Sequence, residues 1–171
     1  FCAARRGGGL LKGCVSRPWL AAKRLGVQTS LPEGSIPIMT AGGWLQFIAR
    51  RGDASRYPIA VGTAGRHCRG AAHIGDKIAW PFWQPTRNMV RREPQVYGPY
   101  AGGVQGGPDN PLGARALYLY RGSRDTLYRI HGTSQPWSIG MEGSSGCIRL
   151  FNSHIADLYA RVPLGTRVYA H

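Results

Sequence analysis

The sequence predicts a mainly β domain with little helix, and three observations carry that prediction. Twenty-five glycines and twelve prolines supply the many turns that an all-β or loop-rich chain needs. From Ser35 onward the apolar residues come in short runs bounded by turn residues. Residues 152–161 alone carry a clear helical period. At 171 residues the chain fits one domain with a single substantial core, and its 43% apolar content is ordinary for a globular protein.

Residues 1–33 are rich in Gly and Arg and lack periodicity, so they are expected to form a flexible or processed lead to a domain spanning 34–171. Within that lead, residues 18–25 allow a short basic helix. A chain opening on Phe1 rather than Met suggests that an amino-terminal piece is missing or removed. Residues 36–40 form a weak strand that Pro37 confines to a sheet edge or a strand end. Residues 44–49 and 57–61 flank Arg50-Arg51-Gly52-Asp53 and predict a hairpin, and residues 73–80 give a further strand.

The stretch 81–113 is long and rich in Gly and Pro, with one short helix over 86–93 capped by Thr86. Loops of this length are often functional, so a lid over a site is one reading of it. Trp80, Phe82 and Trp83 either line a groove or plug the core. Residues 116–120 and 127–131 predict a second hairpin across Gly122-Ser123-Arg124-Asp125, with Leu127, Arg129 and His131 on one face. In the helix over 152–161, Asn152 or Ser153 is the expected cap, and Ile155, Leu158, Tyr159 and Val162 recur on one side. Pro163 and Gly165 stop it before a last strand over 167–170. The chain contains no internal repeat.

The net charge is +14, and all but Lys12, Lys23 and Lys77 of the 22 basic residues are Arg. Such a surface attracts polyanions, either nucleic acid or an anionic envelope polymer. The charge is spread along the chain, with only the Arg pairs at 5–6, 50–51 and 91–92, and zinc-finger spacing and a nucleotide-stacking signature are both missing. Specific nucleic-acid recognition is therefore not expected. The four cysteines, Cys2, Cys14, Cys68 and Cys147, suggest neither a disulfide framework nor a metal knuckle. No apolar run is long enough to span a bilayer. Leu11-Lys12-Gly13-Cys14 resembles a lipid-attachment signal, but Lys12 breaks the pattern, so Cys14 reads as an ordinary thiol.

The chemistry concentrates in Ser144-Ser145-Gly146-Cys147-Ile148-Arg149, with Cys147 sixteen positions after His131 of His131-Gly132. A thiolate is the reactive form of cysteine, and nearby positive charge and an imidazole both favour it. Cys147 is the candidate nucleophile and His131 its base. Gly146 permits a tight turn, and the Gly146 and Cys147 amides are candidate donors to an oxyanion. Gly132 permits the turn after the His strand. Arg149 either holds a substrate carboxylate or orders the loop. Ser144 and Ser145 either bond substrate or cap the turn. Trp137 either packs over the site or fills a local core. His67, His73, His154 and His171 show no paired ligand spacing. The residues alone identify acyl transfer through a thioester, without a substrate; a structural cysteine is the competing reading.

The run also resembles the L,D-transpeptidase catalytic domains of the YkuD type, which carry His-Gly, a loop, and then Ser-His-Gly-Cys-(Ile/Leu)-(Arg/Asn). Asn110-Pro111-Leu112-Gly113 before a strand, Pro163-Leu164-Gly165-Thr166 before the last strand, and Tyr57-Pro58-Ile59-Ala60-Val61-Gly62 extend the match over about residues 34–170. Ser145 stands where many members have a second His. The resemblance implies a curled mixed sheet or barrel-like sandwich with one short helix after the nucleophile. It implies that Cys147 attacks a peptidoglycan stem tetrapeptide, releases D-Ala and passes the acyl group to an amine, without metal or organic cofactor. It places the protein in the envelope or periplasm after export. Alternatives are an L,D-carboxypeptidase using water, an inactive wall-binding domain, a basic nucleic-acid-binding protein, and a thiol hydrolase acting on another amide.

Overall fold

The computed structural model describes residues 21–50, 52–62, 69–144 and 146–171. Their strands are β1 (Lys23–Gly26), β2 (Ile36–Met39), β3 (Trp44–Ile48), β4 (Asp53–Pro58), β5 (Val61–Gly62), β6 (Gly70–Ala79), β7 (Arg115–Arg121), β8 (Arg124–His131), β9 (Glu142–Ser144), β10 (Ile148–Arg149) and β11 (Arg167–Ala170). Three short helices join them: α1 (Arg87–Arg92), α2 (Pro94–Tyr97) and α3 (Asn152–Arg161). One nine-stranded mixed sheet runs β1-β4-β3-β2-β11-β6-β7-β8-β10, and β5 pairs with β9 separately. The large sheet is not closed into a barrel, since its ends, β1 and β10, have no ladder between them.

Both expected hairpins form, but the second strand of each starts earlier than expected, at Asp53 rather than 57 and at Arg124 rather than 127, and Ala60 and Val61 leave the first to pair with Arg149 and Glu142. β3 pairs antiparallel with β4 from Trp44↔Pro58 to Ile48↔Ala54, and β7 pairs with β8 across Gly122-Ser123. Pro37 occupies the second position of β2, between two neighbours; β3 pairs with β2 only from Ile38, so the missing N–H falls just before that ladder begins. Lys23–Gly26, inside the stretch expected to allow a short basic helix, is instead a strand paired with β4 from Lys23↔Arg56 to Gly26↔Asp53. Its four residues carry no alternation of their own, and backbone pairing with β4 decides their conformation.

The core is the inner face of the sheet under α3. Ile36, Ile38, Leu45, Ile74, Leu117 and Ile130 are fully buried there with Ile155 and Leu158 of the helix. Each such side chain contributes about 1.5–3 kcal/mol on burial. Thr86 caps α1, its hydroxyl accepting from the Met89 amide at 3.2 Å. Asn152 begins α3 but does not cap it, nor does any other side chain. Its amide turns the other way, toward the strand that carries His131.

Candidate active site

β8 ends on His131, and β10 lies parallel beside it with Ile148 opposite Ile130 and Arg149 opposite His131. The Leu150 amide donates to the His131 carbonyl at 2.8 Å. On its other side Arg149 exchanges both backbone hydrogen bonds with Ala60, at 3.0 and 2.9 Å. Cys147 stands one residue before β10, so the pairing that fixes Arg149 also fixes the thiol. Gly146, buried and at φ +124°, makes the turn into it, a conformation that side-chain-bearing residues rarely adopt.

Cys147 and His131 line one groove of about 900 Å³, together with Thr133, Arg149, Arg129 and Tyr118. Cys147 is half-buried, and its Sγ lies 3.9 Å from the Leu127 carbonyl. His131 is only 4% exposed. Its Nδ1 lies 2.6 Å from the Gly132 carbonyl. A carbonyl only accepts, so Nδ1 carries the proton and the neutral ring keeps its lone pair on Nε2. Burial pushes the His131 pKa down to about 3, the Arg149 charge pushes the same way, and hydrogen bonds to the Gly132 and Leu112 backbone oppose both. Burial likewise lowers the Arg149 pKa, while the negative charge available at Cys147 raises it. The coupling is mutual, so the guanidinium favours the thiolate.

Arg129 crosses the floor of the groove with its guanidinium 3.9 Å from the Tyr118 ring and a two-point bond to Asp125, at 2.7 and 2.8 Å. The alternation expected from 127 to 131 breaks at a bulge: Tyr118 faces Arg129, but Tyr120 faces Asp125. Leu127, at φ +64° and 66% exposed, sits in that bulge with its amide on Asp125 Oδ1 at 2.7 Å. Residues of the 81–113 arm also line the groove. Phe82 and Trp83 line the groove and Trp80 does not, while Trp83 packs against Tyr97 and Tyr100 at ring distances of 6.5 and 6.0 Å.

Gly132 is buried directly after His131. Trp137 is 71% exposed and lies outside the groove lining, neither over the site nor in the core. Ser144 contributes backbone to β9, whereas Ser145, His67, Cys2, Cys14 and Cys68 lie outside the described residues. His154 is half-buried against Tyr57 and Phe151, and burial lowers its pKa. Among the described residues no group of three or more His, Cys, Asp or Glu side chains is placed to hold a metal ion, and no helix is long and apolar enough to cross a membrane. Sequence reasoning missed Leu127 and Asn152. The Asp125-Thr126-Leu127 run gave no bulge signal, and the helical position of Asn152 suggested a cap.

A half-buried thiol and a neutral, backbone-oriented imidazole thus open on one groove, beside a half-buried arginine, on a mostly β scaffold. The family model of the L,D-transpeptidase catalytic domain, YkuD, matches residues 43–169, and the chain belongs to that family of catalytic transpeptidase domains. It is 40% identical over 113 residues to the probable L,D-transpeptidase YbiS of Escherichia coli K12, an alignment covering 65% of this chain and 35% of that protein. The chain thus spans about a third of the length of that relative. Among solved structures, a Brucella melitensis protein named as a probable carnitine operon oxidoreductase shares 44% identity, covers 85% of this chain and 90% of its own, and gives a TM-score of 0.61. An Enterococcus faecium L,D-transpeptidase, 15% identical, covers 82% of this chain and 50% of its own at a TM-score of 0.59, a likeness of fold.

Proposed function

We propose that this protein catalyses cysteine-dependent acyl transfer on peptidoglycan stem peptides. The observation that carries the reading is the shared groove of Cys147 and His131, with Nδ1 committed to the Gly132 carbonyl. Cys147 Sγ attacks the carbonyl joining the third residue, a diamino acid, to the terminal D-Ala of a tetrapeptide. The thiol proton passes to His131 Nε2 as the carbon–sulfur bond forms. The ring is too weak a base to hold that proton in the resting site, so transfer accompanies attack, when charge develops on the substrate oxygen. The Gly146 and Cys147 amides are the candidate donors to that oxyanion, and one such donor is worth about 3–4 kcal/mol.

Collapse breaks the carbon–nitrogen bond. His131 returns the proton to the departing D-Ala amine, leaving a thioester on Cys147. An acceptor amine then attacks the thioester, His131 takes its proton, and the thiol is regenerated, giving a cross-link between third residues or an attached protein. The substrate class rests on membership of the family, and the thiol chemistry rests on the site. Gly132 and Arg149 support the pair, and Trp137 lies outside the groove lining. An envelope or periplasmic setting follows from the substrate, where the basic surface would meet anionic polymer.

Intact-mass measurement after incubation with a carbapenem tests the nucleophile, and mass analysis of muropeptides made from a purified stem tetrapeptide tests the acceptor. The expected results are a Cys147 adduct, abolished in Cys147→Ala, and cross-linked dimers. Tripeptide alone would name water as the acceptor and make the enzyme an L,D-carboxypeptidase. No adduct and no product would leave a wall-binding domain.

A further inference from the structure

Asn152 is the first residue of α3, and its side-chain amide is turned off the helix onto the two turns that flank His131. Its Oδ1 accepts from the Ala114 amide at 3.0 Å and from the Thr133 amide at 3.1 Å, while its Nδ2 donates to the Thr133 carbonyl at 3.0 Å. One side chain therefore joins the turn that ends the 81–113 arm to the residues just after the catalytic strand. The fit leaves no space. A Cβ at Gly132 would lie 2.1 Å from Asn152 Oδ1, and one at Gly113 would lie 2.2 Å from it and 2.4 Å from the Thr133 amide nitrogen. Gly132 is enclosed between His131 and a Thr133 held at both its amide and its carbonyl. The Gly132 carbonyl is the group that selects the Nδ1–H tautomer of His131.

We infer that Asn152 is a positioning residue for catalysis, fixing the Gly132 peptide so that the His131 imidazole keeps its Nε2 lone pair aimed into the Cys147 groove. Asn152 touches neither thiol nor substrate and acts through the backbone. Releasing it frees the peptide from 132 to 133, lets the ring exchange tautomers, and admits water beside a ring that is otherwise buried. A small displacement of a catalytic base of this kind costs about 100-fold in rate. The helix itself should tolerate the loss, because Asn152 supplies it no cap and Ile155 and Leu158 hold it to the sheet.

The inference rests on the acyl-transfer reading, and its test separates the two. Single-turnover acylation of Cys147 by a carbapenem would be followed by mass across pH 4–8 for the wild type, Asn152→Ala, Asn152→Asp and Ile155→Val, with melting temperatures alongside. Asn152→Ala is expected to acylate about 100-fold more slowly at saturation, with its half-saturating concentration unchanged within about threefold. Its rate should also acquire an acid limb near the ordinary His pKa of about 6.5, which the buried wild-type ring lacks. Asn152→Asp keeps both acceptor bonds but sets a carboxylate oxygen against the Thr133 carbonyl, so it should recover only part of the rate. Ile155→Val, matched for modest destabilisation in the same helix, should keep the wild-type rate and profile. A wild type that forms no Cys147 adduct would overturn the acyl-transfer reading and this inference with it. A reactive wild type whose Asn152→Ala variant keeps the same rate and acid limb, or slows no more than Ile155→Val, would overturn the role of Asn152 alone.

Discussion

Replacing Gly113 with Ala tests how tightly the backbone around His131 is packed, and the structure sets the size of the effect. Gly113 has φ +65°, a conformation that costs an L residue about 1 kcal/mol. Its new methyl would meet Asn152 Oδ1 at 2.2 Å, the Thr133 nitrogen at 2.4 Å and the Gly132 carbonyl carbon at 2.6 Å. Two of those atoms are backbone, and the third ends a short side chain already committed to three hydrogen bonds. Relief of the contact with Asn152 requires that side chain to leave, with a loss of about 1 kcal/mol for each bond broken, and the two backbone contacts add to it. The total is at least about 3–4 kcal/mol. Gly165 provides the reference: it has φ +80°, yet a Cβ there meets nothing within 4 Å, so Gly165→Ala should cost only the conformational term of about 1 kcal/mol. Urea unfolding of the two variants measures the difference, expected to be at least about 2–3 kcal/mol. Gly113→Ala should also slow carbapenem acylation, whereas Gly165→Ala should not. A Gly113→Ala variant no less stable than Gly165→Ala would refute the packing argument for this corner of the site.

Three further outcomes are expected. His131 stays neutral in the fold down to about pH 3, whereas in the unfolded chain it binds a proton below 6.5, so its contribution to stability is complete above 6.5 and is lost as the pH falls. At pH 5 that loss amounts to about 2 kcal/mol, and a His131→Gln variant should lack this share of the acid destabilisation seen in unfolding curves between pH 7 and 4. Arg149→Gln removes the cation facing Cys147, so the midpoint of thiol alkylation against pH should rise; a fall would contradict the proposed coupling. Asn110, fully buried, donates to the Pro81, Val104 and Gln105 carbonyls and accepts from the Leu112 amide. Asn110→Ala should cost about 3 kcal/mol and raise amide exchange across the 81–104 arm more than in β6.

The Gly146-Cys147 turn, the strand ending on His131 and the two hairpins were legible in the sequence because each leaves a local mark. A His-Gly ends an alternating run, a Gly-Cys turn follows small residues, and Gly-rich pairs separate short apolar stretches. The helix over 152–161 and the Thr86 cap were legible for the same reason. What escaped was set by partners far along the chain. β1 takes its conformation from β4, Pro37 is tolerated in the middle of the sheet because the β3 ladder starts one residue later, and the bulge at Leu127 is held by Asp125 and, through it, Arg129. Asn152 has the local features of a helix cap, yet the backbone of Ala114 and Thr133 outbids the helix for its amide. Trp137 had the composition of a core residue and stands 71% exposed, because the buried anchor of its loop is Ile139.

These long-range partners explain how a half-exposed thiol is held in place. Cys147 lies between two very short strands, neither of which would be stable alone. β9 is held by β5, at Val61↔Glu142 and Gly62↔Ser144, and β10 is held by β8 on one side and by Ala60 on the other. Ala60 and Val61 are neighbours, so one stretch of chain braces the strands on both sides of Cys147. Main-chain pairing of this kind asks little of side chains. It asks much of the braces. The positions least open to change are therefore the backbone-directed ones, Gly146, Gly132, Gly113 and Asn152, rather than the polar residues beside the thiol.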